Sequence, residues 1–470
     1  MRHGRDGVTA MIGVPVRRAL ALVLAAGGSL AAQATAPRDS SLQALVAARV
    51  AIGANPAIAA LRITPAGVET AFAGDAKSPD GRPLGPRTLF EIGSITKAVT
   101  GTLLAEAIRR GEAREDERLV DVFPGLPLPK GGEVITLLDL ATHRSGLESF
   151  PSGFVPRDAQ DPWGAVDSAA VAAGWARSAL RFAPGSRAEY SNVGAGMLGR
   201  ALVSRAKARD YDALVQARVA RPLGLRDFTS ALTPERRARF ATGHLRGGDT
   251  TAHWTIPYLA GAGAIVSSLA DMQRLAEACL GRGPGELVAA ITDAQRPRRD
   301  FQGPMKIGLH WIALPTPDSA VISWHNGGTG GFRSWMGCNR RTGRAAVVLT
   351  NSEVGVDDLG LHLVDPVLPL RPPTTPVRRT AIAVDTTTMD GLVGRYALAP
   401  TFAITVTREG TRLMAQATSQ PAFELFAESA EKWFLKVVDA QVEFERGADG
   451  RVTALVLVQN GARQRGVRLP

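Results

Sequence analysis

Ser94 and Lys97, three residues apart in FEIGSITKAVTGTLL, are a pair whose types and spacing can do covalent chemistry. A serine alcohol is a poor nucleophile until a base takes its proton. A lysine amine can take it if burial lowers its pKa from about 10.4. The pair also fits a plainer reading, in which Ser94 only caps a helix. The same S-x-x-K spacing occurs at Ser204/Lys207 and at Ser429/Lys432, so the spacing alone decides nothing. Surroundings separate the three. Ser204 lies in the charged run LVSRAKARD, and Ser429 falls in a turn of a β-rich tail. Only Ser94 stands where a strand passes into the first turn of a long apolar helix. There, unpaired N–H groups and the helix dipole favour an oxyanion.

Two later stretches add polar groups. AEYSNVGAGMLG supplies Tyr190 and Asn192, and SWHNGGTGGFRS supplies His325, Gly327 and Gly328. Each is bland by itself. The order Ser/Lys, Tyr-x-Asn, His-x-Gly, on a helix start, a turn and a strand, is a catalytic constellation rather than a coincidence. Competing motifs fall away. GAGMLG fits G-x-G-x-x-G but follows the Tyr-Ser-Asn turn, so it reads as close helix packing. NGGTGG lacks the lysine of a phosphate loop, and no G-x-S-x-G occurs. No C-x-x-C or H-E-x-x-H is present, so neither a metal nor another cofactor is expected. His143 and Arg144 read as loop or cleft-rim residues, and the remaining histidines as structural.

The elements that must carry these groups follow from periodicity. AIAALRITPAGVETAFAG forms two strands around a turn. A helix runs from about Ser94 to Arg110 and stops at Gly111; Ile95, Val99, Leu103 and Ala107 form its buried stripe, with Leu104 and Ile108 beside it. Residues 115–290 are mostly helical, with a capping box at Thr136 and Asp139. KIGLHWIAL, AVISWHN, GFRSWMGC and AAVVLTNSE then form an antiparallel meander. Joined to the first two strands, it makes one sheet with the helical region inserted between its halves. The fold class is α+β.

Domain boundaries follow composition. Residues 1–34 read as a signal peptide: Arg17 and Arg18 precede an apolar run of roughly 14 residues, short of the ~20 a spanning helix needs, and Ala32-Gln33-Ala34 fits the cleavage rule. The mature chain is therefore expected to be periplasmic or secreted, with no integral membrane segment. Residues 40–365 form the main domain. Residues 366–386, with Pro366, Pro369, Pro372, Pro373 and Pro376, read as a stiff linker, and 387–470 as about eight short strands in a small barrel or sandwich. The net charge of +11 is spread without a basic run, which excludes nucleic acid as a partner. Cys279 and Cys338 read as unpaired core residues.

With these motifs together, the chain resembles the serine β-lactamase and penicillin-binding protein superfamily, in the branch of class C β-lactamases, D-alanyl-D-alanine carboxypeptidases and related esterases. FEIGSITK, LLDLATHRSGL, YSNVGAGMLG, GAGAIVSSLADM and WHNGGTGGFRS carry the likeness, from about Leu61 to Ser352. The resemblance implies an antiparallel sheet flanked by helices and a cleft between sheet and helices. It implies Ser94 as acylating nucleophile, with Lys97 and Tyr190 sharing proton transfer in either order. Asn192 would hold the substrate's carbonyl and steady Lys97. The N–H groups of Ser94 and Gly328 would bind the oxyanion, and Gly327 would let substrate pass close to the strand edge. Class C β-lactamases usually place lysine where this chain has His325, which sets β-lactam hydrolysis against peptidase activity. The implied substrates are β-lactams or D-Ala-D-Ala-like peptides. The alternatives are small esters or amides, or a penicillin-binding role with slow turnover. The tail resembles the lipocalin-like barrels of some relatives and would shape access or subunit contacts.

Overall fold

Side chains on a strand alternate between the two faces of its sheet, and β1 (Ala57–Thr64) shows what this chain does with both faces. Ala57, Ala59, Leu61 and Ile63 enter one hydrophobic core, while Ile58 and Ala60 enter a second. A sheet buried on both sides has no solvent face, so its strands read as continuous apolar runs. β1 pairs with β2 (Gly67–Gly74) across the Pro65-Ala66 turn. The computed structural model of the chain describes residues 41–158, 160–373, 379–399, 402–418, 422–436, 440–459 and 462–470. The signal-peptide reading and residues 374–378 of the linker lie outside them.

The remaining sheet strands come from far along the chain: β3 (Arg299–Asp300), β4 (Lys306–Ile307), β5 (Ile312–Pro315), β6 (Val321–Thr329), β7 (Phe332–Asn339) and β8 (Arg344–Thr350). The order is β2-β1-β8-β7-β6-β5-β4-β3, antiparallel throughout. The two N-terminal strands thus join the meander through β1 and β8, Ile58 opposite Thr350 and Ile63 opposite Ala345. The inserted helical region lies between the halves in sequence, as the periodicity implies.

Helices cover both faces. On one lie α1 (Leu42–Ala51) and, near the end of this unit, a helix from Asp357 to Val364. Gly360 of that helix sits against the Trp335 indole; a Cβ there would approach a ring carbon to 2.2 Å. On the other face lies α2 (Ile95–Arg109), buried from Ile95 to Ala107. Its expected start at Ser94 and stop before Gly111 both hold. α3 (Leu137–Ala141) starts with the capping box of Thr136 and Asp139, and α4 (Asn192–Arg205) with Ser191 accepting from the Gly194 N–H. The GAGMLG glycines do serve packing: a Cβ at Gly199 would lie 2.9 Å from the Gly261 Cα.

Cys279 and Cys338 are buried and unpaired. Part of the stretch read as linker is packed instead: Leu370 is buried beside α1, and the Leu368 carbonyl accepts from His362 Nδ1 at 2.9 Å.

The second unit begins at Ala383. It is a closed barrel of eight strands between Gly394 and Arg468, filled by Tyr396, Val406, Leu413, Trp433, Val442 and Leu455. A short helix, Thr386–Leu392, precedes the strands; the sequence reading had strands only. Asp385 caps it, and the Tyr396 hydroxyl donates to the Leu392 carbonyl at 2.7 Å, tying helix to barrel.

Candidate active site

Three segments build the site. Ser94 precedes α2, and its side chain makes no capping hydrogen bond, so the hydroxyl is not spent on the helix. One turn on, Lys97 is fully buried. Its Nζ donates to Ser94 Oγ at 3.0 Å, to Asn192 Oδ1 at 2.7 Å and to the Ala262 carbonyl at 2.5 Å. All three ammonium donors therefore have acceptors, and none is a carboxylate. With no counter-charge, burial pushes the Lys97 pKa well below the ordinary lysine value. In its free-amine form Nζ would present a lone pair to the Ser94 O–H across the same 3.0 Å contact.

The second segment is the start of α4. Tyr190 lies beside Ser94, and burial raises the phenol's pKa although the Ser94 hydroxyl opposes the shift. Lys97 Nζ lies 4.8 Å from the Tyr190 ring centroid. The same desolvation that lowers an ammonium raises a phenol, so both groups favour their neutral forms. Asn192 Nδ2 donates to Ser149 Oγ at 3.1 Å, which orients its Oδ1 toward Lys97.

The third segment is β6. β5 pairs only with Val321–Trp324, so from His325 onward that edge of β6 has no strand partner among the described residues. Gly93, at φ +49°, brings the Ser94 turn against this edge; a Cβ on Gly93 would lie 2.7 Å from the Gly328 nitrogen. The main-chain nitrogens of Ser94 and Gly328 thus belong to segments in close contact. Gly327 also has a packing reason to lack a side chain. A Cβ there would lie 1.9 Å from the Ile92 carbonyl oxygen, which also accepts from Ser334 Oγ at 2.8 Å. Packing against Ile92 by itself requires the missing side chain.

His325 is buried, with Nδ1 2.6 Å from the Asn326 carbonyl. A carbonyl only accepts, so Nδ1 carries the hydrogen and Nε2 presents a lone pair. Burial, and then the charge of Lys97, brings its pKa down to about 3. His325 is therefore a neutral acceptor and not a cation at neutral pH.

Two histidines lie closer to the site than the sequence implies. His143 is in a loop, as one of the two expected alternatives had it, but it is not at a rim: it is buried, at φ +57°, with its ring 4.3 Å from that of Tyr190. Its Nδ1 accepts the Ser191 N–H at 3.2 Å. His310, fully buried, stands 4.8 Å from His143. Burial lowers both pKa values. His143 lies against Tyr190, and His310 backs His143 from behind. Neither has a neighbour in sequence that signals this; only the fold brings the three rings into a row.

A serine at the start of a buried helix, a buried lysine one turn on and a phenol beside it are the side chains of a serine hydrolase of the β-lactamase and D,D-peptidase type. The chain belongs to the Beta-lactamase family, whose model matches residues 42–364. A second model, described as a domain of unknown function (DUF3471), matches residues 378–466. The chain is 25% identical over 419 residues to penicillin-binding protein 4* of Bacillus subtilis (strain 168), covering 84% of this chain and 91% of that one. It is 27% identical over 310 residues to the D-alanyl-D-alanine-carboxypeptidase/endopeptidase AmpH of Escherichia coli (strain K12), covering 59% and 76%. In structure it is similar to a class C β-lactamase from Rhodobacter sphaeroides, with a TM-score of 0.57 and 26% identity over 66% of this chain and 94% of that one. Among the described residues, no helix is long and apolar enough to cross a membrane.

Proposed function

We propose that the chain is an exported serine hydrolase that forms an acyl-enzyme on Ser94 and acts on β-lactams or D-Ala-D-Ala-like peptides. The observation that carries the reading is the Lys97 clamp, a buried amine with three neutral acceptors, one of them Ser94 Oγ. Export rests on the Arg-flanked apolar leader ending at Ala32-Gln33-Ala34.

In this reading neutral Lys97 takes the Ser94 proton as Oγ attacks the carbonyl carbon. The oxyanion is held by the N–H groups of Ser94 and Gly328. Asn192 holds the substrate's amide as well as Lys97. As the tetrahedral intermediate collapses, Tyr190 passes a proton to the leaving nitrogen or oxygen and is replenished from Lys97. Water then adds to the acyl carbon, giving its proton back along the same path, and the acid leaves. Lys97 is the base here because burial stabilises its free amine, whereas the phenolate of Tyr190 would be a buried anion. His325 Nε2, which has no hydrogen-bond partner among the described residues, can accept one from the substrate.

One observation favours a second reading. A neutral His325 offers no cation to a substrate carboxylate, which suits small uncharged esters or amides. A fluorescent penicillin tests the first reading. Labelling that appears and decays is the expected result. Persistent labelling makes the protein a slow penicillin binder. No labelling, with turnover of p-nitrophenyl esters, gives the case to the second reading.

A further inference from the structure

The net charge of +11 forms no run in sequence, but the fold gathers part of it. Arg144 follows α3, Arg298 and Arg299 lead into β3, and Lys306 opens β4. These segments meet around a crevice of about 380 Å³, lined by Arg144, Pro297, Arg298, Arg299, Asp300 and Lys306. It lies where the sheet ends at β3 and β4, and it shares no lining residue with the Ser94 site.

Four of the lining side chains are cations and one is a carboxylate. Asp300 and Lys306 stand opposite each other across β3 and β4 and bond at 2.9 Å. Both are exposed, so the pair is weak and opens at little cost. Arg298 is neutralised from behind, by Glu115 at 2.6 Å and Asp293 at 3.1 Å. Arg144 and Arg299 are in a different state. Arg144 donates through Nη1 to the Gly185 carbonyl at 3.0 Å and through Nη2 to the Asp300 carbonyl at 2.8 Å. Those carbonyls hold the guanidinium in place without cancelling its charge. Arg299 is exposed, and its Nη1 reaches only the neighbouring Arg298 carbonyl, at 3.4 Å. Among the described residues neither arginine makes an ion pair.

Two uncancelled guanidinium charges therefore line one crevice and attract an anion to it. Guanidinium forks bond the oxygens of phosphate and carboxylate in pairs. The surplus of two charges selects between these. A phosphate monoester carries about −1.5 to −2 at pH 7 and has three acceptor oxygens, whereas a carboxylate brings a single charge. The crevice also falls within the range of small-molecule sites, roughly 300–1,000 Å³, so it has room for the group that bears the phosphate.

We propose that this crevice is an anion-binding site outside the catalytic centre, which takes a small phosphate dianion, free or as a monoester, through Arg144 and Arg299. The proposal does not depend on the hydrolase reading.

The test is calorimetric titration of the full chain with inorganic phosphate and with phenyl phosphate, each against sodium chloride at matched ionic strength. Saturable one-to-one binding of at least one of the two, absent with chloride, is expected in wild type. Binding of phenyl phosphate assigns a monoester, and binding of inorganic phosphate alone assigns the free ion; either supports the site. R299Q should weaken binding by ~10-fold or more. Arg299 ties no other element, so the ligand-free thermal midpoint of R299Q should equal that of wild type. R144K keeps the charge but loses the fork, and it should weaken binding as well. No saturable binding in wild type overturns the proposal. So does wild-type affinity in R299Q or in R144K, since the anion would then sit elsewhere.

Discussion

Ser94/Lys97 and Ser204/Lys207 share a spacing and a helical setting, yet they end in opposite states. Lys97 is wholly buried at the start of α2, its ammonium enclosed by three acceptors. Ser204 and Lys207 are exposed at the end of α4, where Lys207 is at φ +50° and donates its main-chain N–H to the Ser204 carbonyl at 3.1 Å. At Ser429 the hydroxyl accepts the Lys432 N–H at 3.0 Å and closes a turn. Reactivity therefore resides in desolvation and in which acceptors surround the amine. The spacing is only a condition for contact.

The largest test of that contrast is a pair of substitutions. K97M is expected to lower kcat by ~10³-fold or more, the range for losing a positioned base, whereas K207M should change it less than about twofold. Steady-state kinetics on one substrate decides it, and similar losses in both variants would break the comparison. Y190F should be next, with a loss of ~10²-fold that falls on kcat more than on KM, since the phenol acts on the leaving group.

The pH profile sharpens the same point. The Lys97 pKa is lowered, so the active free amine forms as pH rises through a value well below the ordinary lysine range. The acid limb of kcat/KM should therefore lie well below pH 10, with activity lost as Lys97 gains its proton. An acid limb near the ordinary lysine value would show that burial does not set this amine.

Packing around the nucleophile gives a smaller effect. G327A forces Ile92 away from β6 and carries Ser94 with it. Stability should fall by about 1–3 kcal/mol in a denaturant melt, with activity falling further than stability explains.

The smallest effect concerns a buried charge that does no chemistry. Burial raises the Asp357 pKa to about 6. A folded pKa above the unfolded value means stability is full below pH 4 and is lost as pH rises through about 6. D357N keeps the neutral form at every pH and can still accept from Asn326. It should be more stable than wild type by about 1 kcal/mol at pH 8, with the gap closing below pH 4. An unchanged gap across that window would contradict the cause.

How much was readable in sequence follows from range. The α2 stripe, the meander and the turn-rich tail are local periodicities, and each appears where its pattern implies. Ser94, Lys97, Tyr190, Asn192 and His325 could be named because their motifs stand on such elements. The contacts of His143 with Tyr190 and of His310 with His143 could not be foreseen, because they depend on two left-handed residues and on packing between α3, α4 and the strand β5 region. The packing of Gly327 could not be read because its neighbour, the Ile92 carbonyl, is distant in the chain. The Ala262 carbonyl, which completes the Lys97 clamp, has no side-chain signature at all. The short helix before the barrel was missed because Thr387, Thr388 and Gly391 are weak helix formers; its Asp385 cap and the Tyr396 anchor hold it.

The most direct measurement is the mass of the intact protein after brief exposure to a penicillin or an activated ester, followed by peptide mapping. An adduct of one acyl group on the peptide carrying Ser94, absent from S94A, is the predicted result. An adduct on another residue, or undiminished hydrolysis by S94A, would contradict the account at its root.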